Sequence, residues 1–342
     1  MKILSLFSGA GGLDLGFERC GFTPVLAYDI KSSAVETYNA NRTRKVAKTL
    51  NLGLPNVADV IIQDIKSHGE RKIPRGVVGG PPCQYFSNGN KGTRDSDDIR
   101  RLLPRRYATI LNRLNEVFRI DFFILENVDG LAKPKHEKDF DKIISLFKAA
   151  GFHVSWEVLD AFNFGVPQHR NRVFIIGWNK NLYPKNTYKF PTGEPCNLTV
   201  RSKLKDLQDP VFYAKNLDPD KFPIHPNHWT MVPRSQKFQN AAPTNLKKTV
   251  RSFRRLSWDE PSYTVAYGHN EIHIHPDGKR RLSIYEAMLL QGFPDGKNGY
   301  RLIGSLSEQV SLISDAVPPP LAGALAASIL EFIKVHRYHD VD

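Results

Sequence analysis

Short apolar runs alternate with amphipathic stretches along the first half of the chain. Ile3 to Phe7, Pro24 to Tyr28, Val57 to Ile62, Gly76 to Val78, Phe122 to Leu125, Val154 to Leu159 and Val173 to Ile176 are compact and apolar, as buried strands are. Between them, Leu13 to Cys20, Ser33 to Asn41, Arg105 to Phe118 and Phe140 to Ala150 repeat their apolar positions at helical spacing. This alternation predicts an α/β fold with a doubly wound, mostly parallel sheet that binds ligands at the carboxyl ends of its strands. The pattern stops after Trp178. From there to Arg255 no period is sustained, and Pro, Asn, His and aromatic residues crowd together, as in Phe222-Pro223-Ile224-His225-Pro226-Asn227-His228-Trp229. Helical spacing returns over Ser283 to Gln291 and, after Val317-Pro318-Pro319-Pro320, over Leu321 to Val335. The expected division is a large α/β domain over 1–178, a small irregular domain over 179–280 whose end falls between about 250 and 280, and a C-terminal segment over 281–342. The last helix of that segment should return to the first domain.

Charge adds a partner class. The chain of 342 residues carries a formal +13, and the stretch from Trp178 to Arg255 holds 15 Lys plus Arg against 5 Asp plus Glu, which is ten of the thirteen excess charges. A basic excess confined to an irregular insert favours a polyanion. Three cysteines (Cys20, Cys83, Cys196) lie far apart, which argues against a disulfide framework and for a reducing compartment, and metal-ligand spacing is absent. No stretch approaches a membrane span. The apolar start at Met1-Lys2-Ile3-Leu4-Ser5-Leu6-Phe7 is cut short by Ser8-Gly9 and then by Asp14 and Glu18, unlike a secretion signal.

The residues with chemical potential sit where strands end. Gly79-Gly80-Pro81-Pro82-Cys83-Gln84-Tyr85-Phe86-Ser87 puts one thiol after a short strand, with prolines that fix the approach and glycines that permit close contact. A nucleophile fits this placing, although most free cysteines are buried hydrophobes. Phe7-Ser8-Gly9-Ala10-Gly11-Gly12 joins the first strand to the first helix, which suits a dinucleotide loop, an adenosylmethionine loop or a plain tight turn. Asp29 ends the second strand, where it can accept from ribose hydroxyls, and Asp64-Ile65 follows the presumed third, where it can meet an adenine amino group. Without a phosphate-binding lysine or a diphosphate clamp, an adenosine-bearing sulfonium fits better than a dinucleotide. Helix capping is the plainer role for both acids. Glu126-Asn127-Val128 emerges from an apolar strand, so burial should raise the Glu126 pKa and suit it to donate a proton to a ring nitrogen. Gln168-His169-Arg170-Asn171-Arg172 places two arginines on one side of an extended segment, able to hold a phosphate and a base carbonyl.

Taken in order, Phe7 to Gly12, Gly79 to Ser87, Glu126 to Val128, Gln168 to Arg172 and Glu286-Ala287-Met288-Leu289-Leu290-Gln291-Gly292-Phe293-Pro294 resemble the DNA (cytosine-5)-methyltransferases of bacterial restriction-modification systems. Any one of these motifs is weak, but five in order are specific, and the resemblance spans nearly the whole chain except the basic insert. The insert corresponds to the family's variable target-recognition region. The resemblance implies a Rossmann-like, S-adenosyl-L-methionine-dependent methyltransferase fold. It implies that Cys83 is the nucleophile, Glu126 the acid at ring nitrogen 3, and Arg172, with Arg170, a contact to a flipped-out cytosine and its backbone. The same resemblance implies a cofactor pocket drawn from Phe7, Ser8, Gly9, Ala10, Gly11, Gly12, Asp29, Ile30, Asp64, Ile65, Pro81, Asp315 and Ala316. DNA contacts are expected from Gln84, Ser87, Lys91, Arg94, Gln168, Arg234, Lys247, Lys248 and Arg251. The implied partner is double-stranded DNA. The protein is expected to be a cytoplasmic monomer without metal or membrane, acting beside a cognate restriction endonuclease without binding it.

Two departures from the family pattern stand out. Ser314-Asp315-Ala316-Val317 replaces Gly-Asn-Ala-Val, which puts a carboxylate near the expected cofactor wall, and Tyr285-Glu286 replaces Arg-Glu at a helix start. Three rival readings are an RNA cytosine methyltransferase of the same fold, a nicotinamide-dependent oxidoreductase and a catalytically silent DNA-binding relative. The basic insert opposes the first, and the second leaves Cys83 and Glu126 without a task. Intact Cys83 and Glu126 count against the third. Asn88-Gly89-Asn90-Lys91-Gly92 to Asp97-Asp98 is polar and glycine-bearing, as a loop that closes over DNA would be.

Overall fold

The computed structural model describes residues 1–69, 73–82, 102–185, 188–215, 217–234, 236–239, 253–267 and 271–337. In chain order the elements are β1 (Lys2–Leu6), α1 (Gly12–Arg19), β2 (Thr23–Asp29), α2 (Ser32–Ala40), β3 (Ala47–Thr49), α3 (Val57–Ser67), β4 (Gly76–Gly79), α4 (Leu103–Phe118), β5 (Phe122–Val128), α5 (Glu137–Ala149), β6 (Phe152–Asp160), β7 (Gln168–His169) and β8 (Asn171–Asn179). They continue as α6 (Arg201–Leu204), β9 (Val211–Phe212), β10 (Trp229–Thr230), α7 (Gln236–Gln239), β11 (Ser262–Tyr263), β12 (Ala266–Tyr267), β13 (Glu271–Ile272), α8 (Ile284–Leu290), α9 (Leu306–Asp315) and α10 (Pro319–Arg337).

The chain divides into two compact units, one of residues 1–159, 171–192 and 322–342, the other of 160–170 and 193–321. This differs from the division drawn from sequence. The helices α8 and α9 belong with the irregular insert, and the short segment 160–170 joins them.

The first unit is built on a seven-stranded sheet of order β3-β2-β1-β4-β5-β8-β6. The pairs from β3 through β5 are parallel, and β8 runs antiparallel to β5. Strand order reverses between β1 and β4, which opens a crevice at their carboxyl ends. One face is closed by α3, α4 and α5, whose Ile61, Ile65, Leu111, Leu114 and Phe147 pack on Leu4, Val77, Phe123 and Leu125. Tyr107 of α4 is fully buried and donates its hydroxyl proton within reach of the carbonyls of Val77 (3.2 Å) and Ile124 (2.9 Å), locking the helix over β4 and β5. The residues of α10 from Ala322 onward return to this unit. There Phe332 meets Trp178 at 4.2 Å between ring centroids, and Tyr188 and Ser328 share a hydrogen bond of 2.8 Å.

One expected strand is a helix. Val57 to Ile62 opens α3, whose buried Val57, Ala58, Ile61, Ile62 and Ile65 follow helical spacing. The third strand is instead the short β3, hydrogen-bonded beside β2. The expectation of no span-like stretch also needs correction. Leu306–His336 is long and apolar enough by length and composition alone, but it comprises α9 and α10, separated at Ala316-Val317-Pro318, and most of its span-length window is buried.

The second unit has two-residue strands and is held by buried polar groups. Ser283 caps α8 through the Glu286 amide, and Glu286 returns a bond to the Ser283 amide. The same carboxylate takes a two-pronged bond from Arg280 at 2.8 and 2.9 Å, with Arg280 and Glu286 almost entirely buried. A buried pair of this kind is costly to break from one side only. The departure at Tyr285 alters more than a helix start. Its ring stacks on His225 of the insert at 4.3 Å, and its hydroxyl accepts from the Gly296 amide at 2.8 Å.

Candidate active site

Two turns flank the crevice of the first unit. After β1, Phe7, Gly9 and Gly11 adopt left-handed backbone with φ of 53°, 52° and 76°. Glycine takes this region freely, whereas Phe7 stores strain of about 1–3 kcal/mol, as residues at ligand sites often do. The turn is tied down by the Ser8 amide donating to the Tyr28 carbonyl at 3.0 Å and the Gly9 amide donating to Asp29 Oδ2 at 2.8 Å. Asp29, at the end of β2, also accepts from the Lys31 amide at 2.9 Å. Burial pushes the Asp29 carboxyl above its ordinary value, and the amides of Lys31 and Gly9 pull it partly back. Its oxygens keep lone pairs for further donors. Beside it Ile30 is 58% exposed. Among the described residues the Ser8 hydroxyl is buried without a hydrogen-bond partner, and none lies within 4 Å of where a Gly9 side chain would begin.

The second turn follows β4. A methyl group on Gly80 would lie 2.7 Å from Glu126 Oε2, so any side chain here would make the carboxylate move. Asn127 donates to the Pro81 carbonyl at 3.1 Å, and Pro81 is buried. The turn therefore passes directly by the end of β5. Cys83 itself lies outside the described residues, as do Gln84, Ser87, Lys91 and Arg94 and the Asn88 to Asp98 loop.

Glu126 sits at the end of β5, 7% exposed. From the neighbouring β8, Arg172, level with Val128, reaches back with its Nε 3.0 Å from Glu126 Oε1. Burial favours the neutral acid, but a guanidinium at this distance favours the carboxylate. The apolar strand alone therefore does not decide the charge of Glu126. The sequence placed both arginines on one side, and the structure separates their tasks. Arg170 is fully buried, and it donates from Nη2 to the Ser314 carbonyl in the last turn of α9 at 2.8 Å. Such a guanidinium satisfies an orphan helix-end carbonyl. Gln168 is also 0% exposed, paired through β7 with Ser262 of β11. Neither is displayed to a DNA surface here, so both expected contacts are corrected to interior residues of the second unit. Arg234 is exposed, while Lys247, Lys248 and Arg251 lie outside the described residues.

Asp64 and Ile65 are corrected likewise. Asp64 lies in α3, where it accepts from Lys48 Nζ at 2.6 Å and from the Tyr28 hydroxyl at 2.6 Å. Burial would raise its pKa, but the bonds from Lys48 and Tyr28 prevail and hold it below the ordinary carboxylate value. Ile65 is wholly in the core. The polar side chain that does follow the third strand is Asn51, exposed, with Oδ1 accepting from the Gly53 amide at 2.9 Å. The sequence reading missed it because β3 is only three residues long and carries a lysine in its middle. Asp315 is exposed at the end of α9 in the second unit, and Ala316 accepts from Gln291 Nε2 at 2.5 Å. Among the described residues no cluster of three or more His, Cys, Asp or Glu side chains could hold a metal ion.

Comparison with known proteins agrees with this geometry. A family model described as C-5 cytosine-specific DNA methylase matches residues 1–331. The chain is 31% identical to the Type II methyltransferase M.FnuDI of Fusobacterium nucleatum, covering 97% of this chain and 94% of the relative. It is 30% identical to the Type II methyltransferase M.MthTI of Methanothermobacter thermautotrophicus, covering 96% and 97%. Among solved structures, a putative DNA modification methyltransferase encoded within an E. coli prophage superposes with a TM-score of 0.72 at 24% identity, over 98% of this chain and 99% of that one. The S. pombe Dnmt2 methyltransferase superposes with a TM-score of 0.63 at 16% identity, over 97% and 99%.

Proposed function

From its membership of the C-5 cytosine-specific DNA methylase family, to which this chain belongs, we infer a residue-by-residue route for methyl transfer to carbon 5 of cytosine. The enzyme is a DNA (cytosine-5-)-methyltransferase that uses S-adenosyl-L-methionine. The observation that carries the route is the passage of Gly80 against one oxygen of Glu126, with Arg172 at the other oxygen of the same carboxylate.

The turn after β1 fits the cofactor. Its orphaned Ser8 hydroxyl, the open space at Gly9, the acceptor oxygens of Asp29 and the bare Ile30 side chain offer a donor, room, ribose partners and an apolar face for a nucleoside. We assign Asn51, rather than Asp64, to the polar position beyond β3. Bound there, S-adenosyl-L-methionine supplies an electrophilic methyl group on a sulfonium.

Carbon 5 of cytosine is a weak nucleophile, and covalent catalysis corrects this. The Cys83 thiolate forms a bond to carbon 6, and the displaced C5=C6 pair moves through the ring toward nitrogen 3, where Glu126 meets it by donating a hydrogen bond or proton. Carbon 5 then has enamine character. Once carbon 5 is methylated, its proton passes to a base such as water, the C5–H electrons form the C5=C6 bond as the S–C6 pair leaves with the thiolate, and nitrogen 3 returns its proton to Glu126. Arg172 orients Glu126 and offers its remaining N–H groups to the base carbonyl. The cytosine must leave the duplex stack to meet both groups, at a cost of a few kcal/mol. The acceptor is duplex DNA, held by the basic insert including Arg234, Lys247, Lys248 and Arg251. The enzyme works as a cytoplasmic monomer and supplies the modification half of a restriction-modification system.

Duplex containing 5-fluorocytosine tests the route, because fluorine cannot leave as a proton does. The wild type should form a denaturation-resistant adduct at Cys83, while Cys83→Ala should form none yet still bind cofactor. An adduct at Cys20 or Cys196, or turnover by Cys83→Ala, would remove Cys83 from the mechanism.

A further inference from the structure

Beneath the turn after β1 lies a buried acid that the route above does not use. Asp14, in the first turn of α1, is 1% exposed. The hydroxyl of Ser5 on β1 donates to its Oδ2 at 2.8 Å and that of Tyr38 on α2 to its Oδ1 at 3.0 Å. Arg42, just past α2, lies 3.7 Å over the Tyr38 ring and donates to both oxygens of Glu18, at 2.8 to 3.0 Å. Its Nη2 also reaches the Gly11 carbonyl at 3.3 Å. Gly11 is the left-handed residue from which α1 starts. The charged and polar groups around Asp14 thus come from β1, α1 and α2, and Arg42 joins them to the turn itself.

We propose that Asp14 is a positioning residue for S-adenosyl-L-methionine, its ionised carboxylate holding Ser5, Tyr38 and Arg42 in the arrangement that fixes the 7–12 turn, and its protonation releasing that arrangement. The proposal rests on the reading of that turn as the cofactor site. Both hydroxyls donate to the carboxylate, so a proton on either oxygen weakens that oxygen as an acceptor and competes with the hydroxyl facing it. A neutral Asp14 also no longer attracts Arg42, which then has less reason to stay on the Gly11 carbonyl. Burial raises the Asp14 carboxyl to about 6, against the pull of Arg42 and the two hydroxyls. The release therefore falls in an accessible range of pH.

The sign for stability is opposite to that for binding. A carboxyl whose folded pKa lies above its unfolded value favours the folded state below the unfolded value, and that favour is lost as pH rises through about 6. Keeping Asp14 ionised at neutral pH costs the cofactor-free protein stability, and the return is a formed site.

Calorimetric binding of S-adenosylhomocysteine, with thermal unfolding of the cofactor-free protein, tests this from pH 5 to 8. Wild-type affinity should fall as pH drops through about 6. Asp14→Asn should bind roughly tenfold more weakly at pH 7.5, the worth of one charge-assisted hydrogen bond, lose that pH dependence, and unfold no earlier than the wild type. Asp29 titrates in both proteins, so the difference between them reports Asp14. Tyr38→Phe keeps the acid but removes one donor to its charged form, and should shift the affinity midpoint to higher pH. Failure of the wild type to bind would overturn the cofactor-site reading and this inference with it. Wild-type binding with equal affinity in Asp14→Asn, or an unmoved midpoint in Tyr38→Phe, would overturn the inference alone. A variant that only loses thermal stability would show Asp14 to be structural.

Discussion

Glu126 was visible in the sequence as an acid leaving an apolar strand, but its company was not. Arg172 lies 46 positions later and meets it only because β8 runs antiparallel beside β5, with Arg172 level with Val128. The same limit applied to Arg170 and Gln168. Alternation told correctly that the segment is extended, yet exposure depends on what packs over it, and both are buried. Gly80 was legible as permissive backbone, and the structure adds the reason for it. A single methyl there would stand 2.7 Å from Glu126 Oε2, so in Gly80→Ala the carboxylate must swing aside. Gly80→Ala is expected to lower kcat by at least about tenfold, since a displacement near 1 Å can cost a hundredfold, while S-adenosylhomocysteine binds as in the wild type. Steady-state kinetics beside calorimetry check this. Unaltered kcat would mean that Glu126 need not stand where it does, and would weaken its role at nitrogen 3.

At the scale of elements, ten of the eleven strands and helices expected up to Trp178 lay where periodicity put them, and the failure is as informative as the successes. Val57 to Ile62 is a short apolar run, and such runs do not separate a buried strand from the start of a helix. Reading on to Ile65 would have separated them, since Val57, Ala58, Ile61, Ile62 and Ile65 form one helical stripe while Val60 is 46% exposed. The error moved Asp64 to a false strand end, the placing on which its expected ligand role rested. Its observed partners make a different prediction. Asp64→Asn should leave S-adenosylhomocysteine affinity within about twofold and cost no more than about 1 kcal/mol through the half-exposed Lys48 pair. Ile65→Ala, emptying a fully buried site, should cost about 2–5 kcal/mol in denaturant unfolding. An affinity loss of tenfold or more in a folded Asp64→Asn protein would return Asp64 to the cofactor site.

For the whole molecule, the basic insert read from sequence was a sound indication of a second unit, but its cohesion was hidden because no period marks it. Four buried histidines lie in that unit, and they set a pH limit that composition does not reveal. His225, His228, His273 and His275 are all buried in the second unit. Burial lowers His225 and His273 to about 4 and pulls His228 and His275 down as well. His225 Nδ1 accepts from the Asn227 amide at 3.1 Å, so a proton on that nitrogen breaks the bond. In an unfolded chain each histidine titrates near 6.5. Their contribution to stability is therefore complete above that value and is lost as pH falls toward 4, by about 3 kcal/mol for each of His225 and His273. In the first unit Asp14 titrates with the opposite sign, since its raised carboxyl takes up a proton in the folded state as pH falls through about 6. Hydrogen-exchange protection, corrected for intrinsic rates and compared at pH 7 and pH 5, should therefore drop in 193–321 while the sheet of the first unit holds. His273→Gln, which has no proton to gain, should narrow that drop if it folds, and His225→Gln gives the same test independently. Equal loss of protection in both units, or a drop unchanged in both variants, would show that acid acts through other groups.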